Sequence, residues 1–238
     1  MKKFFLVVDT ETTMTHRVAD FGAVIVDKAG NVHASCGVMV REVYADRDDE
    51  LFHKKDGGHF ATERLQARRK LYGAMLADGR RMLASVNAIN RWLAKAATQY
   101  RPILTAYNLS FDLDKCARTG IDLEPFAERF CMWNAACAWI DEKPRRLRRY
   151  RAHVLGRHAF NAPTKKGHMT FHRKADTVAA FICPDLPPEP HTALEDARDY
   201  EGRVILPRIV RDMKPADYMN AKAANWRDAQ VKDHFKPA

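Results

Sequence analysis

The sequence predicts an α/β domain, a mixed β-sheet flanked by α-helices. Three observations carry that reading. Strand-like segments follow one another closely between residues 4 and 40. A long helical stretch separates them from a further short apolar strand. A second helix follows that strand directly, and this alternation builds helices onto a sheet rather than an all-helical bundle.

Phe4 to Val8 is a continuous apolar run, the pattern of a strand buried on both faces. Phe21-Gly22-Ala23-Val24-Ile25-Val26, within Arg17 to Asp27, forms a second strand. Lys28-Ala29-Gly30-Asn31 is a turn, and Val32 to Val40 completes a hairpin or meander. The charged stretch Arg41 to Gly58 reads as an irregular connection. From Thr62 to about Tyr100 helical character dominates: Ile89, Trp92, Leu93 and Ala96 recur at helical spacing, with Gly73 and Gly79 as breaks. Pro102 ends that helix, and Ile103 to Tyr107 is a short buried strand. Asn108 or Ser110 can cap the next helix, which carries Asp112 and ends near Gly120. Pro144 to His172 is the least regular part, basic and histidine-rich. It reads as an insertion, at about 140–175, within a domain spanning 1–210. Residues 211–238 read as a polar tail with one or two short helices, and there is no internal repeat.

The 238 residues suffice for one large domain, and 46% hydrophobic with 29% charged residues is an ordinary globular composition. The net charge of +10 suits a polyanionic partner, because Lys and Arg release counterions from phosphates; a merely soluble basic surface has the same composition. Five cysteines, an odd number with no Cys-x-x-Cys pair, argue against a disulfide framework and for a reducing cytoplasm. The apolar run before Asp9 is only five residues, short of the ~7–15 of a signal peptide. No run reaches the ~18 apolar residues of a membrane span. A soluble cytoplasmic protein without a membrane partner is expected.

Chemistry concentrates in three places. Asp9 and Glu11 end the first apolar run, in Leu6-Val7-Val8-Asp9-Thr10-Glu11-Thr12-Thr13. If the strand continues through them, the two carboxylates share a face and repel unless a cation lies between them. Asp112, in Tyr107-Asn108-Leu109-Ser110-Phe111-Asp112, falls early in a helix, where the dipole favours negative charge; Phe111 is expected in the core. In His191-Thr192-Ala193-Leu194-Glu195-Asp196, Thr192 and Glu195 have capping-box spacing. With Thr192 as N-cap, His191 takes N′ and Asp196 takes N4, positions whose side chains meet across a helix start. That helix end also favours a phosphate. Glu195 is then a cap and not a metal ligand.

In order and in neighbours, Asp9, Glu11, Asp112, His191 and Asp196 resemble the DEDD superfamily of 3′–5′ exonucleases. The His-x-x-x-x-Asp spacing points to its histidine branch, which includes proofreading-type exonucleases and oligoribonuclease. The resemblance spans residues 4 to about 205 and implies a ribonuclease-H-like fold. It also implies Mg²⁺ or Mn²⁺, hard ions that suit oxygen ligands. One ion would be held by Asp9, Glu11 and Asp196, and a second by Asp9 with Asp112 helping directly or through water. Two ions ~3.5–4 Å apart can stabilise both the attacking and the leaving oxygens of an in-line displacement. His191, with an unperturbed pKa of ~6.5, would take the proton from the attacking water, releasing a nucleoside 5′-monophosphate. Thr10, Thr12, Thr13 and Met14 lie where relatives contact the terminal nucleotide, and Asn108 belongs to the same expected substrate set. Proofreading members often carry glycine where this chain has Met14.

Arg145-Arg146-Leu147-Arg148-Arg149-Tyr150-Arg151 places five arginines in seven residues. Arg145, Arg146, Arg148 and Arg149 could track a nucleic-acid strand with Tyr150 stacking on a base, or form a solvated basic helix face. His153, His158, His168 and His172, with Cys131 and Cys137, invite a zinc site, although closely spaced cysteine pairs are missing. Trp133 and Trp139 are expected in the core. The leading expectation is a metal-dependent 3′–5′ exonuclease acting at a nucleic-acid 3′ end, DNA favoured over RNA. An oligoribonuclease-like or small-nucleotide phosphodiesterase is the enzymatic alternative. A non-catalytic nucleic-acid-binding protein is the alternative of another class.

Overall fold

A computed structural model of the chain describes residues 3–46, 48–51, 60–161 and 170–222, and for 60–66 it describes the backbone alone. Its centre is a six-stranded mixed sheet in the order β4-β3-β2-β1-β5-β6. β1 (Phe4–Thr12), β2 (Val18–Asp27) and β3 (Val32–Val40) form the antiparallel meander. β5 (Ile103–Ala106) joins β1 in parallel, and β6 (Arg129–Cys131) joins β5. On the far side β4 (Met82–Ala84) runs parallel to β3. A mixed sheet with helices on both faces is the architecture expected of a ribonuclease-H-like fold.

The alternation of β1 divides the core in two. Leu6 and Val8, with Phe21, Ala23, Ile25 and Leu104, face one helical layer. That layer is α2 (Phe60–Ala77), α3 (Val86–Tyr100) and α4 (Leu109–Thr119), which contribute Tyr72, Met75, Ile89, Leu93, Ala96 and Cys116. Phe5 and Val7, with Val24, Val26 and Ile103, face the other. Here lie α5 (Met132–Glu142), α6 (Pro144–Gly156) and α7 (Ala175–Ile182). The same layer holds a continuous helical run: α8 (Ala193–Glu195), a π-helix over Asp196–Ile205, and α9 (Leu206–Asp212). α10 (Pro215–Met219) closes it with buried Tyr218.

Local signals explain the element ends. Ser85 caps α3 by accepting from the Ala88 N–H at 3.2 Å. α3 stops at Arg101, which is left-handed, and Pro102 follows. α4 ends at Gly120, whose φ of 81° suits glycine alone.

Several expectations need correction. The Arg41 to Gly58 connection contains a short helix, α1 (Arg41–Tyr44); residues 47 and 52–58 of it lie outside the described residues. Gly73 lies inside α2 and breaks nothing, whereas Gly79 does mark a break at φ 78°. β4 and β6 were not foreseen: each is three residues at a sheet edge, too short for any periodicity. The stretch Pro144 to His172 is helical in its first half, and its residues 162–169 lie outside the described residues. It begins with α6, which buries Tyr150 and Val154 in the second core and is integral to it. Phe111 is not in the core but 41% exposed, with the Lys115 ammonium over its ring. Among the described residues, no helix is long and apolar enough to cross a membrane.

Candidate active site

β1 continues through its acidic end, so Asp9 and Glu11 project from the same face as Phe5 and Val7. Their register partners on β2 are Gly22 and Asp20, and the pairing slips between Glu11 and Thr12. Such a bulge re-aims side chains at a strand end. Gly22 in turn pairs with Gly37 on β3. These glycines are a landing platform: a Cβ on Gly22 would lie 2.1 Å from the Ala193 carbonyl carbon, and one on Gly37 2.5 Å from Leu194 Cδ2. With no side chains there, the start of α8 descends onto the sheet beside Asp9.

Thr192 is the N-cap residue of α8, as expected, but its hydroxyl donates to Glu195 Oε2 at 2.8 Å rather than capping the backbone. The Ala193 N–H is capped instead by Asp20 Oδ2 at 2.9 Å. Asp20 also accepts from the Tyr72 hydroxyl at 2.8 Å and from Arg81 Nε at 3.1 Å. Arg81 reaches on to Glu195, donating from Nη1 to Oε1 at 3.1 Å. Glu195 is thereby committed to structure. His191 sits at φ 56°, a left-handed conformation that costs about 1–3 kcal/mol in a non-glycine residue. Its carbonyl accepts from Arg68 of α2, whose guanidinium also lies 3.9 Å from Glu11.

The helix start brings His191 and Asp196 to β1: one ligand atom each from Glu11, His191 and Asp196 lie within 4.8 Å of one another. Asp9 and Asp112 are not part of that tight triple, but both carboxylates interact with it. Asp112 is buried on α4, with Thr10 Oγ1 donating to its Oδ1 at 2.8 Å. Two further carboxylates, not foreseen, complete the group. Glu189 lies with Oε2 3.7 Å from His191 Nδ1. Glu201, on the π-helix, is 1% exposed.

Among the described residues, six carboxylates so arranged are short of cations. Burial is the main cause of every shift here, with mutual repulsion added for most of them. Asp196 is pushed up to about 9, Glu11 to about 8 despite Arg68, and Glu189 to about 7. Asp112 rises to about 7 although the Thr10 hydrogen bond opposes the rise, and Asp9 and Glu201 go well above the carboxylate range. Asp196 Oδ1 is buried without a hydrogen-bond partner among the described residues. An oxygen-rich, partly open cluster with an orphaned buried oxygen fits a hard divalent cation, which would stabilise the ionised forms. Asp9, Glu11, Asp112 and Asp196 are the residues that could hold it.

The remaining candidates divide. Thr10, Thr12 and Thr13 are buried, Thr13 completely, and the Thr13 hydroxyl accepts from the Arg17 N–H at 3.1 Å. Met14 and Asn108 are exposed, as are Arg145, Arg148 and Arg149. Arg146 is drawn inward: its guanidinium stacks 4.3 Å over Trp139, donates to the Trp139 carbonyl and pairs with Glu142 and Asp212. Tyr150 is 1% exposed and donates to the His172 carbonyl at 2.5 Å, so it cannot stack on a base. Trp139 is buried as expected, and Trp133 only half so. His153, His158, His172, Cys131 and Cys137 form no ligand cluster among the described residues, and His168 lies outside them.

Glu201 escaped sequence reasoning because α-helical periodicity turns a residue five positions after Asp196 away from it. The wider π-helix, with its i→i+5 bonding, brings the two nearer to alignment. Gly22 and Gly37 did carry a signal, since glycine inside a strand often marks a close backbone approach. No protein-family model matches the chain, and no curated protein is significantly similar to it.

Proposed function

We propose that this protein is a metal-dependent 3′–5′ exonuclease of the DEDD type, histidine branch, acting on nucleic-acid ends with single-stranded DNA favoured. The observation that carries the reading is the convergence of Glu11, His191 and Asp196, from opposite ends of the chain, beside Asp9 and Asp112. Mg²⁺ or Mn²⁺ held by Asp9, Glu11, Asp112 and Asp196 would supply Lewis-acid stabilisation of a phosphodiester in displacement.

The chain's own residues do the rest. Thr10 fixes the Asp112 carboxylate, and Arg68 anchors the His191 backbone so that the imidazole projects from a rigid turn. That imidazole is 58% exposed and can reach a water at the cluster's open side. It takes the water's proton as the new phosphorus–oxygen bond forms and the bond to the departing 3′-oxygen breaks, that oxygen gaining a proton from solvent, and Glu189 beside Nδ1 stabilises the imidazolium that results. Exposed Phe111 offers an aromatic surface on the same helix as Asp112, suited to stacking a terminal base. All five cysteines are free thiols, which suits a cytoplasmic setting.

One observation favours a second reading. With Arg146 and Tyr150 committed to the core, the basic track of α6 is shorter than its sequence suggests. Short oligonucleotides, as for an oligoribonuclease, then become the natural substrates.

The test is incubation with Mg²⁺ or Mn²⁺ and 5′-labelled single-stranded DNA, duplex DNA, RNA and dinucleotides. Stepwise shortening from the 3′ end, abolished by chelation, is expected. Dinucleotides outpacing all longer substrates would select the second reading. No cleavage of any substrate with either ion would leave a binding protein and end the exonuclease proposal.

A further inference from the structure

We propose that Glu201 is a fifth carboxylate ligand of the cation centre, acting beside Asp9 and Asp112 through its Oε2. This rests on reading the cluster as a divalent-cation site.

Glu201 is 1% exposed, and its Oε2 has no hydrogen-bond partner among the described residues. The Tyr107 backbone holds the carboxylate at one side. What surrounds it is acidic: Asp112, Glu189 and Asp196 all act on it, and it is the strongest charged influence on Asp9. A second orphaned oxygen, Asp196 Oδ1, lies one wide helical turn away. Two unpartnered buried oxygens on one helix, beside two further carboxylates, form an arrangement that is costly without a cation.

The backbone is built to deliver Glu201 there. Its neighbour Gly202 suits the wide helical turn itself, because a Cβ there would come 2.8 Å from the Ala197 carbonyl oxygen of the same helix, while against β2 it would only meet methyls of Val24 and Val26 at 3.4 Å. The contrast with Asp20 is direct. Asp20 is equally buried and receives an arginine, a tyrosine hydroxyl and a backbone N–H. Glu201 receives no arginine or lysine among the described residues, and a divalent ion would supply the missing charge.

The experiment titrates Mn²⁺ alone into the full chain and into Glu201→Gln and Asp9→Asn, reading affinity and stoichiometry by calorimetry and melting temperature with and without the ion. Glu201→Gln keeps the shape and the Tyr107 contact. It should melt no lower than wild type without metal, bind Mn²⁺ about tenfold or more weakly, and show less than half of the Mn²⁺-induced rise. Glu201→Met, which needs no hydrogen bond, repeats the test if the amide is not accommodated. If Asp9→Asn fails to bind Mn²⁺ while both Glu201 variants bind it as wild type does, the Glu201 assignment fails and the cation centre stands. If wild type takes up no Mn²⁺, both fail.

Discussion

Asp20 and Glu11 are register partners on adjacent strands, yet they belong to two acidic networks neutralised in opposite ways. Around Asp20 every carboxylate has a donor from the protein: Arg81 bridges Asp20 to Glu195, Tyr72 and the Ala193 N–H complete Asp20, and Thr192 completes Glu195. Around Glu11 the carboxylates face one another. Arg68 stands 3.9 Å from Glu11, Thr10 serves Asp112, and Asp196 and Glu201 each retain a buried oxygen with no partner among the described residues. The first network is finished by the chain itself and holds the α8 start in place. The second is left unfinished by the described residues, as the proposed cation site requires. Mutations in the second network should therefore cost activity and spare metal-free stability, whereas mutations in the first should cost stability.

The largest expected effect is on turnover. Asp9→Asn should reduce cleavage by on the order of 10²–10³-fold or more, the scale for removing a group that acts in the transition state. Metal-free stability should hold or rise, because a repelling charge is gone; urea denaturation in chelator would check this. Arg81→Met should do the reverse to the fold. It strands two carboxylates, one of them fully buried, and should cost about 3–5 kcal/mol, read as a lower urea midpoint. Equal stability losses in the two variants would erase the distinction between the networks.

A dependence on pH separates the networks further. Folded-state values of about 9 for Asp196 and about 8 for Glu11 lie above the ~4 of unfolded carboxylates, so the folded chain binds more protons in that interval. Stability of the metal-free protein is then fullest below about pH 4 as far as these groups are concerned, and is lost as pH rises towards 9. Melting curves in chelator between pH 5 and 9 should fall with pH, and saturating Mg²⁺ should flatten them. A metal-free profile that rises over this range would mean that the second network is already neutralised.

The smallest effect concerns α6. Replacing Arg145, Arg148 and Arg149 by alanine should weaken oligonucleotide binding and lower its salt slope by about 0.7 for each phosphate that is no longer neutralised. Turnover of dinucleotides should be unchanged. Arg146→Ala belongs to another class: it removes the guanidinium stacked closest on Trp139 and one of several partners of Asp212, so its effect should appear in thermal stability rather than salt dependence.

The frame of the fold was legible because β1 to β3 and β5 are long or strongly apolar runs between turn residues. Edge strands β4 and β6 were not, being three residues long, with Met82 and Leu83 exposed. The His191–Asp196 approach was readable from capping spacing alone, since N′ and N4 meet by helix geometry. Asp20, Arg81 and Arg68 were not, because they reach the site only through tertiary contacts across the sheet and from α2. Tyr150 shows the opposite failure. A residue among arginines reads as surface, yet α6 turns one face inward, and Tyr150 and Val154 lie on it.

Whether the second network holds a cation is read most plainly by anomalous diffraction from crystals soaked in Mn²⁺. A strong peak is expected among Asp9, Glu11 and Asp196, with Asp20 and Glu195 still bound to Arg81 and free of metal. Manganese absent from that cluster at saturating concentration, or seated instead between Asp20 and Glu195, would overturn the division between the two networks.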